Sequence, residues 1–119
     1  MKWDCSNQKG KKILVSEQKR NYFLNADDIT YILCDGYVST FYITDETKKY
    51  PTSRLLKHIE KELEQYGGFI RINRNTLINA RYLSSSWTED KVKYILVHKK
   101  QFKVSKRNAH LFRKDSESA

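Results

Sequence analysis

The chain has 119 residues, 39% of them hydrophobic and 13% aromatic, with one proline and four glycines; that suits one globular domain with a modest core and excludes a low-complexity linker. Lys and Arg number 23 against 14 Asp and Glu, a formal charge of +9, which points to polyanionic partners, nucleic acid or an acidic membrane surface, and says nothing of fold. No apolar run approaches the length of a membrane span, and MKWDCSNQKG has no signal-peptide core, so a cytoplasmic protein with no membrane partner is expected.

Residues 1–11 are polar and without period, and read as a flexible lead-in. KKILVSE and NYFLN read as short strands around a Gln18-Lys19 turn. ADDITYILCDGYVSTFYIT is the strongest β signal: two aromatic and β-branched runs flank the turn pair Asp35-Gly36. TDET is a second turn and KKY a short strand. After Pro51 the period changes. Leu55, Ile59 and Leu63 recur every four residues, which predicts one amphipathic helix of about three turns, capped by Thr52 or Ser53 and stopped by Gly67-Gly68.

Beyond the helix β structure returns in GFIRIN, NARYLSSSW, KVKYILVH and QFKVS, with turns expected at Thr88-Glu89-Asp90 and Lys99-Lys100. The tail KRNAHLFRKDSESA is expected to form a short helical turn before fraying, with residues 115–119 disordered. The domain is therefore placed at 12–114. Its fold class is mainly β, built from short, mostly antiparallel strands with one helix.

No nucleophile elbow, H-E-x-x-H or P-loop pattern is present, so no catalytic residues, no metal site and no cofactor are expected. His58 with Glu62 reads as a surface pair, and His98 and His110 are isolated. Cys5 and Cys34 form no C-x-x-C and are expected as reduced thiols. Ser84-Ser85-Ser86 reads as a turn or strand edge. Basic residues concentrate in two places: Arg71, Arg74 and Arg81, then Lys99, Lys100, Lys103, Lys106, Arg107, Arg113 and Lys114. For Lys99, Lys100, Arg113 and Lys114, solvation of strand edges explains the charge as well as nucleic acid does.

Asn73-Arg74-Asn75 interrupts an apolar pattern between Ile72 and Leu77. Such a lapse marks a tight loop whose tip carries one guanidinium between two amides. Arg pairs bidentately with guanine and Asn with adenine, so Asn73, Arg74 and Asn75 suit base edges; turn formation by Asn and solvation by Arg account for the same residues equally well. GGFIRIN loosely fits the glycine-led aromatic strand of an RNA-recognition motif, but that fold needs two helices and only one is predicted. A single-stranded RNA binder and a β-rich interaction module for an acidic partner remain the alternatives to duplex DNA.

Three segments together resemble the LytTR family, the DNA-binding output domain of many bacterial response regulators. ADDITYILCDGYVSTFYI is similar to the family's D-I-x-Y-I-E-x-x-G-N-Y segment. SRLLKHIEKEL running into FIRINRNTLINARYL is similar to its F-x-R-x-H-R-S-x-L-V-N-x-x-x-I pattern, and FKVSKRNAHLF to its closing V-S-R-R. The order holds over residues 12–112. The resemblance implies about ten short strands in small sheets, and loops that enter successive major grooves and bend the duplex. It puts Tyr37 in the first base-contacting loop, Asn73 and Arg74 in the second, and Lys106 and Arg107 in the third. Asn79 matches a structural asparagine; Phe69, Leu77, Ile78 and Leu83 match core positions. It further implies tandem half-sites bound by two copies, and an upstream receiver domain or separate sensor in a two-component system; none fits before residue 12. Departures fall at DNA-facing positions: Asn73 for His, Asn75 for Ser, Asp35-Gly36-Tyr37 for G-N-Y and Lys106 for Arg, which alters the expected target sequence and not the fold.

Overall fold

The computed structural model describes residues 12–17 and 19–109. The expected lead-in, Gln18, the disordered tail, His110, Arg113 and Lys114 lie outside the described residues. Within them run ten strands and one α-helix: β1 (Lys12–Glu17), β2 (Arg20–Asn25), β3 (Ile29–Asp35), β4 (Val38–Ile43), β5 (Lys49–Thr52), α1 (Leu56–Leu63), β6 (Phe69–Asn73), β7 (Thr76–Asn79), β8 (Leu83–Glu89), β9 (Val92–Val97) and β10 (Lys100–Val104). All pairings are antiparallel, as expected for strands joined by short turns.

A five-stranded sheet, ordered β5-β4-β3-β7-β6, is the centre of the molecule. One face is covered by α1 and the β1–β2 ribbon: Ile13, Val15, Ile29, Ile32, Phe41, Leu56, Ile59, Leu63 and Leu77 form one buried cluster. The three-stranded sheet β10-β9-β8 covers the other face, where Ile72, Ile78, Ile95, Val97, Phe102 and Val104 form a second. The pleat sorts neighbours between the two cores. Leu77 goes to the first and Ile78 to the second; Phe69 packs on the first, and Ile70 and Ile72 on the second. Strand β3 is sandwiched, with Ile32 on one face and Tyr31 and Leu33 on the other, which explains its nearly continuous apolar sequence. Each fully buried Ile or Leu contributes about 1.5–3 kcal/mol.

Two 3-10 turns lead into β3 and β8, at Ala26–Asp28 and Ala80–Tyr82, and they are built alike. Asn25 caps the first by accepting from Asp27 N–H at 3.0 Å, and Asn79 caps the second by accepting from Arg81 N–H at 3.0 Å. Asn79 also donates to the Ile29 carbonyl at 2.9 Å, and the Tyr82 hydroxyl donates to the Asp27 carbonyl. Asn79 is buried and both ends of its amide are used, in keeping with a structural asparagine.

The helix is shorter than its period predicts. It has eight residues and passes into a 3-10 turn at Glu64–Tyr66. Neither Thr52 nor Ser53 caps it: Thr52 belongs to β5, and Leu55 is the N-cap with no side-chain hydrogen bond. Leu55 is accordingly 41% exposed, and the inward stripe is Leu56, Ile59 and Leu63. Glu62 pairs with Arg54, not with His58. The stop is as expected, with Gly67 and Gly68 at φ 71° and 83°. The two late hairpin turns sit one residue from their expected places, at Asp90-Lys91 and His98-Lys99, and all four residues have positive φ. Ser84, Ser85 and Ser86 lie on β8, an edge strand of the three-stranded sheet.

Candidate nucleic-acid interface

Strand register brings three loops to one end of the molecule. The first is Gly36-Tyr37, the two-residue turn between the paired residues Asp35 and Val38. Gly36 takes φ 64°, a conformation open to glycine at no steric cost, and the turn leaves Tyr37 83% exposed. The second is Arg74-Asn75, between the paired residues Asn73 and Thr76. The third follows β10, where Asn108 N–H donates to the Ser105 carbonyl at 3.0 Å and the Asn108 amide to the Ser105 hydroxyl at 3.1 Å.

The loops are tied to one another through backbone. Cys34 N–H donates to the Asn75 carbonyl at 2.8 Å, joining the strand before loop 1 to loop 2. Ser105 N–H donates to the Ile72 carbonyl at 3.0 Å, seating loop 3 against the outer edge of β6. Across the same seam the Asn73 amide donates to the Lys103 carbonyl at 3.2 Å. Bonds of this kind fix loop positions relative to a rigid sheet.

Loop 2 is also held from behind by Arg71. Its Nε donates to the Asn73 carbonyl at 2.9 Å and one terminal nitrogen to the Arg74 carbonyl at 2.7 Å. The other meets Glu60 of α1 at 2.7 Å. A guanidinium is the side chain whose fixed fork can serve three acceptors at once. Arg71 thus supports the loop, and so does Asn73. While its amide nitrogen reaches Lys103, its oxygen accepts from Asn75 N–H at 2.9 Å, an Asx turn that shapes the loop. Asn73, expected at base edges, therefore has both polar atoms engaged within the protein. Arg74 and Asn75 are exposed, and the Arg74 guanidinium has no hydrogen-bond or ion-pair partner among the described residues.

Of the expected site residues, Asn73, Arg74 and Arg107 line one open cleft of about 800 Å³ with Glu60, Arg71, Ser105 and Asn108. Lys106 faces a second cleft, on the other side of loop 3, with Lys91, Lys93 and Lys103. Tyr37 stands on the neighbouring hairpin and lines neither. Sequence reasoning missed Glu60, Lys91 and Lys93. The lysines lie in a turn and strand whose side-by-side placement with loop 3 appears only once the β9–β10 register is known.

Lys99 and Lys100 occupy the opposite end. The five residues of β10 separate Lys99 from Ser105, six steps or roughly 20 Å. Lys99 Nζ is 4.0 Å from Glu46 Oε2, and His98 Nε2, which is buried, lies 3.2 Å from the same oxygen without hydrogen-bond alignment. Burial, then Tyr42 and Glu46, raise the Tyr31 hydroxyl above its ordinary pKa there. Arg81, at a different corner, is 3.8 Å from Asp27. Among the described residues no group of His, Cys, Asp and Glu could hold a metal ion, and no helix is long and apolar enough to cross a membrane.

The family model described as the LytTr DNA-binding domain matches residues 19–116. Among solved structures, the chain is similar to the LytTr DNA-binding domain of a protein assigned as a methyl-accepting/DNA response regulator from Bacillus cereus. That match has a TM-score of 0.72 at 15% identity and covers 87% of this chain and 94% of the other, a likeness of fold. A search of curated proteins finds no match. The family match spans all three loops and the five- and three-stranded sheets, and with it the chain belongs to the LytTR family of DNA-binding domains.

Proposed function

We propose that this domain binds double-stranded DNA sequence-specifically within a bacterial transcription regulator, in the cytoplasm and without catalysing a reaction. Loops 1, 2 and 3 face the duplex, with Tyr37, Arg74, Asn75, Lys106 and Arg107 as the contacting side chains. Asn73 and Arg71 hold loop 2 in place for them. Phosphate contacts supply most of the affinity, and base edges supply the choice of site. Two copies on tandem half-sites form the operator complex, and a receiver domain or separate sensor delivers the signal.

The observation that carries this reading is Arg74. Its backbone is held by Arg71, and its side chain projects from the loop with its donors unspent. An arginine so held suits bidentate pairing with the O6 and N7 of guanine. Duplexes selected from a random pool by the wild-type domain give the preferred site. Arg74→Ala is expected to cost roughly 1–3 kcal/mol on that site and to leave random duplex nearly unaffected. Equal loss on both would reduce Arg74 to a phosphate contact. Failure of the wild-type domain to enrich any duplex would favour an acidic protein partner, and a preference for single strands would favour RNA.

A further inference from the structure

Along the DNA-facing end the order of parts is loop 1, loop 2, loop 3 and then the tip of the β8–β9 hairpin. Loop 3 sits on the outer edge of β6 through Ser105 and Ile72, and β9 pairs with β10 on its far side, with Val104 opposite Lys93. The two-residue turn of that hairpin is Asp90-Lys91, flanked by the pair Glu89 and Val92. Between the tip and loop 3 lies a cleft of about 450 Å³, lined by Lys91, Lys93, Lys103 and Lys106 around an apolar floor that includes Val104 and Ala109.

The four lysines come from a turn, two strands and a loop that the register brings together. None has an ion-pair partner among the described residues, and no acidic side chain lines the cleft; Glu89 and Asp90 stand at the hairpin tip, exposed to solvent. Scattered solvating lysines avoid one another, because like charges at short range repel. Here four of them line one cleft, Lys93 from the face that carries Val104 and Lys103 from the face that carries Tyr94, and so much charge of one sign around one cleft raises the local positive potential. Lysine is a compact point charge well suited to phosphate oxygens and needs no planar partner, so the ligand class that fits is a phosphodiester oxygen.

We propose that this cleft is a fourth duplex contact, in which Lys91, Lys93 and Lys103 grip the sugar-phosphate backbone just beyond loop 3. The inference rests on the duplex-binding reading and extends its footprint outward from Lys106. The contact is blind to sequence. Its contribution is affinity and a salt dependence, through release of counterions from the phosphates it neutralises.

The test is a salt titration of Lys91→Ala/Lys93→Ala against wild type, on the selected site and on random-sequence duplex. Lys91→Arg/Lys93→Arg serves as the charge-preserving control, and thermal unfolding reports the fold. The double alanine variant is expected to lose affinity by the same factor on both duplexes. Its slope of log K against log salt should fall by about 0.9 for each phosphate no longer neutralised, so by about 2 for the pair, while the arginine variant keeps the wild-type slope. Unchanged slope with wild-type affinity would overturn the fourth contact and leave the duplex-binding reading standing. A loss confined to the selected site would overturn it as well, by making these residues base readers. If wild type itself binds no duplex, both readings fall. Competition by free inorganic phosphate at concentrations too low to act through ionic strength would overturn the backbone track in favour of a discrete anion site.

Discussion

Arg71 is the residue on which the second loop depends. Its three donors reach the Asn73 and Arg74 carbonyls and a carboxylate oxygen of Glu60, so it links helix to loop in a way no single-headed side chain can. Lysine in its place would keep the charge and lose the fork. Arg71→Lys is therefore expected to destabilise the domain by about 1–3 kcal/mol, the range for lost hydrogen bonds to charged and half-buried groups. It should also erode discrimination between selected and random duplex, because Arg74 would lose its fixed base. Urea unfolding and paired binding curves measure the two effects. Wild-type discrimination in a variant that is only less stable would show that Arg71 supports the fold and not the reading of bases. Its role was poorly legible in the sequence. Alternation places Arg71 opposite Ile70 and Ile72, on the face α1 covers, but periodicity does not say that Glu60 will meet it there. Asn79 was easier, since the family resemblance already marked it as structural, and the structure shows both ends of its amide in use.

At the level of elements, the strands were readable because their composition is aromatic and β-branched and their alternation survives even where β3 is covered on both faces. The helix was readable in its stripe and stop, and misread at its start. β5 runs through Pro51 to Thr52 and a bend at Ser53-Arg54 follows, so the segment that looks like a capped first turn is the end of a strand and a bend. The hairpin turns were misplaced for a different reason. Two-residue turns with both residues at positive φ normally announce themselves with Asn-Gly or Asp-Gly, and this chain uses Asp90-Lys91 and His98-Lys99. A lysine held there costs on the order of 1 kcal/mol. Lys99→Gly relieves that strain and adds some entropy to the unfolded chain, so a net gain of about 0.5 kcal/mol is expected, seen as a higher urea midpoint at constant slope. Because Lys99 stands at the end away from loops 1, 2 and 3, its duplex affinity and salt slope should match wild type. A drop in either would place duplex at both ends of the sheet.

For the molecule as a whole, the spacing of the loops decides what shape of duplex it can hold. In the central sheet the β4–β3 and β7–β6 hairpins are neighbours, so loops 1 and 2 spring from points two strand spacings apart, roughly 10 Å. Loop 3, against the outer edge of β6, extends that line to roughly 17 Å. Successive major grooves on one face of straight B-DNA recur at about 34 Å. Arms as long as Tyr37 and Arg107 add several ångströms at either end, and the remainder is most easily made up by a duplex that curves toward the protein. Such a bend costs on the order of 1–6 kcal/mol and is cheapest where flexible pyrimidine–purine steps lie between the contacts. Two outcomes are therefore expected. In gel-mobility assays on circularly permuted fragments, complexes with the selected site near the middle should migrate slowest. Selected sites should also carry a TA or CA step at positions that no loop contacts, and replacing it by a stiff A-tract should weaken binding with every base contact intact. Mobility independent of site position would mean that the duplex stays straight, and the three loops would then have to share a single groove.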